Sequence, residues 1–227
     1  MNNASSFLKS LVDIECVKFG DFTLKSGKKS PIYIDLRNLV SYPKLLSELA
    51  GFFEQYISKE IQRICGVPYA ALPMATAVSI NTQLPMLIKR KEAKNYGTKK
   101  VVEGAYNKGD KVLLIEDVIT SGESLVETIA ELENEGLIIE QILVVLDREQ
   151  GGSERLKSKG YQVQSLFTVS SLIKILFDEG KIEEQLYNEV LQFIHDAQIV
   201  TTTVKPKKKL PKSHPNKAGQ QLLDIAH

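Results

Sequence analysis

Two acidic residues follow an apolar run in the middle of the chain, where they could accept hydrogen bonds from a sugar. The segment KVLLIEDVITSGES extends from Lys111 to Ser124. Its run VLLI is typical of a strand that is covered on both faces, and Glu116 and Asp117 stand at the end of that strand. Carboxylates repel a phosphate group but accept hydrogen bonds from vicinal hydroxyls. The pair therefore predicts contacts with the hydroxyls of a ribose.

The residues directly after the acids suit a phosphate group. Thr120, Ser121, Gly122, Glu123 and Ser124 lead into an amphipathic pattern that predicts a helix. The unpaired amides and the positive dipole end of a helix N-terminus favour a phosphate monoester, and glycine has no Cβ to hold the anion away. An acidic strand end with a Ser-Gly helix cap is the structural alternative. Paired acids and a hydroxyl-glycine turn in immediate succession favour a sugar-phosphate site instead.

Short apolar runs alternate with helical patterns from Val67 onward, which predicts a parallel sheet with right-handed crossovers. Ligands bind beyond the carboxyl ends of the strands in such α/β sheets. One predicted strand ends near residue 67, and the four others cover residues 85–89, 111–116, 141–147 and 161–167. The helices predicted between these strands cover residues 75–81, 123–135 and 153–159. The remaining segments predict helices at residues 7–15, 43–61, 171–177 and 182–195 and a hairpin-like hood within residues 19–36.

The bulk composition fits one α/β domain. The chain has 227 residues, of which 43% are hydrophobic and 25% charged, and its formal net charge is +1. This charge gives no global field for nucleic acid or a membrane surface, so an anion site must be local. The domain is predicted over residues 1–198, and the Lys-Pro-rich residues 199–227 are interpreted as a solvated linker or tail.

The cysteines and the N-terminus predict a cytoplasmic, soluble protein. Cys16 and Cys65 are too few for a disulfide framework and lack a metal-ligand spacing, which fits a reducing compartment. The first residues lack a secretory pattern, and no stretch approaches the ~20 apolar residues that span a bilayer. We therefore expect no nucleic-acid partner and no membrane partner.

The acid–hydroxyl segment resembles the phosphoribosyl pyrophosphate motif of type I phosphoribosyltransferases. The resemblance implies the fold of that family, a central parallel sheet flanked by helices with an N-terminal hood. It also implies that Glu116 and Asp117 hold the ribose hydroxyls, that Asp117 takes part in catalysis, and that the following loop holds the 5′-phosphate. The positions that this motif carries over to the sugar donor are Val118, Ile119, Thr120, Ser121, Gly122, Glu123 and Ser124.

The segment FTLKSGKKSPIYIDLR, residues 22–37, resembles orotate phosphoribosyltransferases in particular. By this resemblance Lys25 reaches both substrates, and Tyr33 lies against the base with Ile34 beside it. Tyr33 offers a flat π-face to a pyrimidine, and Lys25 offers a cation to an anionic ligand. A basic hairpin tip with a tyrosine packed in the core is the structural alternative, and this segment alone favours that alternative.

The segment LDREQGG, residues 146–152, matches the same family. Arg148 matches its carboxylate-binding arginine, and Thr120 matches the threonine that also touches orotate. An arginine can bind the carboxylate of orotate through two parallel hydrogen bonds. Asp147 beside Arg148 could instead form a routine surface ion pair. The position of the segment at the end of an apolar strand favours the functional interpretation.

The segment IKRKEAKNYGTKKVVEG, residues 88–104, is strongly basic. Residues 89–100 contain six basic side chains and one acidic one, for a net charge of +5. A solvated basic loop is the structural alternative, but the order Arg-Lys-Glu-Ala-Lys resembles the catalytic loop of orotate phosphoribosyltransferases. By that match Arg90, Lys91 and Lys94 contact pyrophosphate and act in catalysis. The resemblance also implies that loop 90–102 closes over the site of a partner subunit in a homodimer.

The resemblance covers about residues 19–193 and is closest to the N-terminal domain of eukaryotic-type uridine monophosphate synthase. Two donor-binding positions depart from the bacterial pattern. Tyr69 and Ala70 stand where bacterial enzymes have Tyr-Lys, so one pyrophosphate cation is missing, and Tyr96 replaces a loop histidine.

The reaction that the resemblance implies converts orotate and phosphoribosyl pyrophosphate to orotidine 5′-monophosphate and pyrophosphate in pyrimidine biosynthesis. Mg²⁺ is the implied cofactor and is held mainly by the substrate, with no dedicated protein ligands. The end of the chain resembles the first segment of orotidine monophosphate decarboxylase, so a decarboxylase domain that follows covalently is one expectation and a stand-alone enzyme is another. The alternative functions are a non-catalytic regulator that senses phosphoribosyl pyrophosphate and a purine phosphoribosyltransferase.

Overall fold

The apolar runs of the chain form a sheet between two layers of helices in the computed structural model, which describes residues 2–24, 27–90 and 101–203. The first part contains α1 (Asn2–Asp13), β1 (Val17–Thr23), β2 (Lys29–Ile34), a 3-10 helix (Leu36–Ser41), α2 (Pro43–Glu54), β3 (Arg63–Gly66), α3 (Ala71–Thr82) and β4 (Met86–Lys89). The second part contains β5 (Val102–Glu103), β6 (Lys111–Ile119), α4 (Glu123–Asn134), β7 (Ile138–Asp147), α5 (Gly152–Lys157), β8 (Val163–Thr168), α6 (Val169–Asp178) and α7 (Glu184–Thr203).

The central sheet has the strand order β5-β4-β3-β6-β7-β8. Strands β4, β3, β6, β7 and β8 are parallel, which confirms the predicted parallel sheet. The edge strand β5 is antiparallel to β4 and was not predicted. Its two residues, Val102 and Glu103, are too few to show a period of two.

Alternate residues of the central strands face different helix layers. On β6, Leu113 and Ile115 belong to the core cluster that contains residues of α1, α2, α3, α6 and α7. Val112 and Leu114 belong to the second cluster, with residues of α4 and α5. Because both faces of β6 are covered, each position of the VLLI run is apolar.

Strands β1 and β2 form a separate antiparallel hairpin, which is the predicted N-terminal hood. Tyr33 pairs with Lys18 and Ile34 with Val17 in this hairpin. β2 packs against α7, so the hood is attached to the same helix layer as α6 and α7.

Several predicted boundaries were wrong. β6 was predicted to end at Glu116 but continues to Ile119, because its pairing with β7 extends to Ile119 and Asp147. The acids therefore lie within the strand rather than after it. Helix α2 ends at Glu54 instead of near residue 61, and α7 continues to Thr203 instead of ending near residue 195. No helix in the described part of the chain combines the length and apolar character that membrane crossing needs.

Candidate active site

The carboxyl ends of β6 and β7 bring together two of the predicted binding segments. Ile119 at the end of β6 is in register with Asp147 at the end of β7. The backbone N–H of Arg148 donates to the carbonyl oxygen of Ile119 over 3.0 Å. This pairing places Arg148 beside the segment that begins at Thr120. Below, residues 120–124 are called the phosphate loop and residues 148–151 the base loop.

The acid pair lies at the base of the phosphate loop. Glu116 is only 4% exposed, whereas Asp117 is half-buried. The Ser124 hydroxyl donates to Glu116 Oε2 over 2.7 Å, and the Asp117 amide donates to Oε1 over 3.3 Å. Burial and the neighbouring Asp117 raise the pKa of Glu116 well above its ordinary value, and the hydrogen bond from Ser124 opposes part of this rise. The raised pKa means that the Glu116 carboxyl holds its proton to a higher pH than an exposed glutamate does.

The phosphate loop ends at the N-terminus of α4. Gly122 has φ 73° and ψ 17°, in the left-handed region that glycine adopts without steric cost. Within the part of the chain that the structure describes, no side chain caps this helix N-terminus. Ser121 and Ser124 are exposed, and Thr120 is half-buried. Helix amides and hydroxyls at this point can bind a phosphate group.

Arg148 has a partly desolvated guanidinium group. Its Nη2 atom is buried and has no hydrogen-bond partner among the described residues. Burial lowers the pKa of Arg148 from its ordinary value, although an arginine stays charged at neutral pH. A buried cation with an unused donor is costly unless an anion pairs with it, so this atom can bind a ligand carboxylate.

Asp147 does not form the surface ion pair that was the alternative interpretation for this segment. It is 8% exposed, and it accepts hydrogen bonds from the hydroxyl of Ser153 and, over 2.7 Å, from the amide of Glu149. Burial raises the pKa of Asp147, and the Ser153 hydroxyl opposes part of this rise. The hydrogen bond from Ser153 to Asp147 was not predicted, because it spans six positions and follows no periodic pattern.

The loop between β3 and α3 lies next to the acid pair. β3 is parallel to β6, Gly66 is in register with Ile115, and the amide of Val67 donates to the Ile115 carbonyl over 2.9 Å. Tyr69 in this loop is 64% exposed, and Ala70 directly precedes α3. Both predicted donor-binding positions are therefore at the same sheet edge as the phosphate loop.

The predicted base-stacking tyrosine lies on the hood. Tyr33 is 37% exposed, so the alternative of a core tyrosine is wrong. Its ring centroid is 5.4 Å from that of Phe22, with an interplanar angle of 33°. Ile34 packs against the main core, whereas Lys25 lies outside the described residues.

The basic loop is described only at its two ends. The amide of Arg90 donates to the Val101 carbonyl over 2.8 Å, and Arg90 Nη1 is 3.4 Å from Glu103 Oε1. Lys91, Lys94 and Tyr96 lie outside the described residues. Because β4 is parallel to β3, its carboxyl end places the start of this loop at the same edge of the sheet.

The described residues contain no group of three or more His, Cys, Asp or Glu side chains that could hold a metal ion. The oxygen atoms at the end of β6 are those of the Glu116 and Asp117 carboxyls. This donor set suits a hard cation that receives most of its ligands from elsewhere.

Comparison with known proteins gives a consistent family. The model of the phosphoribosyl transferase domain matches residues 35–171. The chain is 42% identical to an orotate phosphoribosyltransferase of Caenorhabditis elegans over 190 residues, which cover 82% of this chain and 84% of that protein. It is 44% identical to the uridine 5′-monophosphate synthase of Bos taurus over 209 residues, or 91% of this chain.

A solved structure of Leishmania donovani UMP synthase is similar with a TM-score of 0.78 and 39% identity, over 85% of this chain. The chain spans only 43% of the bovine synthase and 42% of the Leishmania structure. The bovine and worm relatives, the matched domain and the strand-end geometry agree: the chain belongs to the orotate phosphoribosyltransferase family, within the phosphoribosyl transferase domain proteins.

Proposed function

We propose that this chain transfers the 5-phosphoribosyl group of phosphoribosyl pyrophosphate to orotate, giving orotidine 5′-monophosphate and pyrophosphate in pyrimidine biosynthesis. The observation that carries the proposal is the pairing of β6 with β7. It puts the buried Nη2 of Arg148, which has no hydrogen-bond partner among the described residues, beside a loop whose helix N-terminus can bind a phosphate group. An anionic base and a phosphorylated sugar are the two ligands that such a pair of loops can hold together.

The donor binds along the end of β6. Glu116 and Asp117 accept hydrogen bonds from the ribose hydroxyls, and the amides and hydroxyls of the phosphate loop hold the 5′-phosphate. The exposure of Ser121 and Ser124 and the uncapped start of α4 support this role. Tyr69 and Ala70 contribute contacts from the neighbouring loop, at the side where pyrophosphate lies.

Orotate binds between the base loop and the hood. Arg148 pairs with its carboxylate, and the Thr120 hydroxyl donates to the same ligand. Tyr33 covers one face of the ring with Ile34 beside it, and Lys25 supplies a further cation. Support comes from the exposed ring of Tyr33 and from the burial of the Arg148 guanidinium, because a desolvated cation binds a carboxylate more strongly than an exposed one.

Catalysis rests on position and electrostatics. Positive charge develops at the anomeric carbon and negative charge on the leaving pyrophosphate, so the protein need not supply a nucleophile. Arg90, Lys91 and Lys94 offset the charge on pyrophosphate, and loop closure excludes water. Mg²⁺ would be held mainly by oxygens of the donor, and it would add further charge neutralisation when bound.

The assembly and the location are further parts of the proposal. The chain acts as a cytoplasmic homodimer in which loop 90–102 closes over the partner's site. Residues 1–198 form the transferase domain, and residues 199–227 lead to a decarboxylase domain that follows covalently. The chain covers less than half of the two UMP synthases, which supports a further domain in the full-length protein.

The direct test is the ultraviolet loss of orotate on addition of phosphoribosyl pyrophosphate and Mg²⁺, with hypoxanthine and adenine as control bases. Loss of orotate alone is expected. Consumption of a purine instead would identify a purine phosphoribosyltransferase. Donor binding with no base consumed would identify a sensor of phosphoribosyl pyrophosphate, and either outcome rejects the proposal.

A further inference from the structure

The N-terminus of α5 packs directly against the phosphate loop at Gly152. A Cβ atom at Gly152 would lie 2.6 Å from the carbonyl oxygen of Thr120, 2.7 Å from Ile119 Cγ1 and 3.0 Å from the amide nitrogen of Gly122. Two of these three atoms belong to the backbone and cannot rotate away. The close approach of the two segments therefore requires a residue without a side chain.

Hydrogen bonds join the same two segments on either side of Gly152. The amide of Arg148 donates to the Ile119 carbonyl over 3.0 Å. From α5, Arg155 Nη1 donates to the carbonyl oxygen of Ser121 over 3.2 Å. One end of this contact is thereby tied to the last residue of β6, and the other end is tied to the phosphate loop.

Hydrogen bonds from neighbouring residues and from α6 also anchor the base loop. Asp147 accepts hydrogen bonds from the Glu149 amide and from the hydroxyl of Ser153, which closes the loop on itself. Glu149 adopts φ 57°, and its carboxylate accepts a hydrogen bond of 2.7 Å from the amide of Ser170 at the start of α6. A loop anchored in this way cannot easily absorb a displacement at Gly152, so the phosphate loop must move instead.

We infer that Gly152 is a positioning residue that sets the spacing between the base loop and the phosphate loop, with Ser153 and Asp147 keeping the base loop in place. The inference rests on the proposed function, because that function assigns orotate and the ribose phosphate to these two loops. It adds a claim about binding: a change at Gly152, which lies outside the phosphate loop, weakens the phosphate site as well as the orotate site.

The test is calorimetric titration of the full chain with ribose 5-phosphate, which occupies the sugar and phosphate sites but has no pyrophosphate to transfer. For Gly152→Ala, we expect affinity to fall by about ten-fold or more, since displacements near 1 Å can cost still larger factors. The matched control is Gly136→Ala. Gly136 has φ 85°, and an added Cβ there meets the flexible side chain of Lys108 at 2.9 Å, in the turn between α4 and β7.

The control is expected to lose stability and to bind ribose 5-phosphate like the wild type. Unchanged affinity in Gly152→Ala, or equal losses in the Gly152 and Gly136 variants, overturns the inference. If Gly152→Ala does not fold, Ser153→Ala serves as the second variant, because it adds no volume. Loss of its hydrogen bond to Asp147 should weaken ribose 5-phosphate binding roughly three-fold, and wild-type affinity there overturns the inference equally.

Failure of the proposed function gives a different pattern. A wild-type chain that binds ribose 5-phosphate without consuming orotate refutes the proposed reaction, and the affinity loss in Gly152→Ala still supports the positioning role. Arg148→Ala distinguishes the orotate site from the ribose 5-phosphate site. It should lose orotate affinity and keep ribose 5-phosphate affinity, whereas Gly152→Ala should lose both.

Discussion

The Glu116→Gln variant tests the raised pKa of the Glu116 carboxyl. Glu116 is 4% exposed, and burial and Asp117 raise its pKa above the ordinary value of 4.5. At a pH between the pKa values of the unfolded and folded states, the folded protein therefore keeps a proton on Glu116 that the unfolded chain has released. It follows that the free energy of unfolding falls as pH rises from about 4.5 through the raised pKa of the folded state. Glutamine cannot ionise, so the variant should lack this fall.

The magnitude follows from two opposing effects. Each unit by which folding raises the pKa of Glu116 lowers the free energy of unfolding of the wild type by about 1.4 kcal/mol at high pH. Glutamine can accept, without rearrangement, only one of the hydrogen bonds that Glu116 receives from Ser124 and Asp117, which costs about 1 kcal/mol. We expect Glu116→Gln to be less stable than the wild type by about 1 kcal/mol near pH 5 and more stable by about 1–3 kcal/mol near pH 8.5.

Urea unfolding followed by circular dichroism at about pH 5 and pH 8.5 measures this difference. The matched control is Glu127→Gln on the exposed face of α4, where the stability change should be small at both pH values. A Glu116→Gln effect of the same size and sign at both pH values would refute the reasoning. The proton would then not be held more tightly in the folded state than in the unfolded one.

Three further outcomes are expected. Lys94→Ala should lower turnover on the order of 100-fold with the fold intact, with Lys108→Ala as a control outside the basic loop; near-normal turnover would remove the loop from the mechanism. Arg148→Ala should weaken orotate binding in calorimetry by roughly 10-fold or more and should keep phosphoribosyl pyrophosphate binding. Arg148→Lys should retain only part of the orotate affinity, because lysine lacks the planar guanidinium group of arginine. Unchanged orotate affinity in Arg148→Ala would reject the carboxylate role. Gly51→Ala should raise the free energy of unfolding by about 0.5–1 kcal/mol, because Gly51 lies within α2 and an added Cβ meets no atom within 4 Å; destabilisation in thermal unfolding would mean that this face of α2 is packed more closely than described.

The sheet was predictable because its central strands are covered on both faces. A strand such as β6, with Val112 and Leu114 in one core cluster and Leu113 and Ile115 in the other, must be apolar at each position. β7 carries a similar apolar run, and an amphipathic helix lies between the two strands. This alternation predicts that the strands are parallel. It does not predict where a strand ends, since β6 continues through Asp117 only because β7 still pairs with it.

Less of the candidate site could be read from the sequence. Because ligands bind at the carboxyl ends of the strands in α/β sheets, the sequence predicts Arg148 and the phosphate loop at one edge of the sheet. The structure pairs the two strands that carry them. The contact of Gly152 with Thr120 and Gly122 depends on how two loops from different strands approach each other, which no spacing along the chain encodes. The burial of Glu116 against Ser124 depends likewise on the packing of α4 on the sheet.

The most direct test of the central claim is the affinity of the chain for phosphoribosyl pyrophosphate when both acids of β6 are replaced by their amides. Calorimetry of the double variant Glu116→Gln with Asp117→Asn, beside Glu127→Gln as the control, measures whether the acid pair holds the ribose. We predict a loss on the order of 100-fold or more for the double variant and none for the control, because a charged acceptor contributes roughly 1.5–3 kcal/mol per hydrogen bond. Wild-type affinity in the double variant would contradict the sugar-phosphate site, and with it the reaction proposed for this chain.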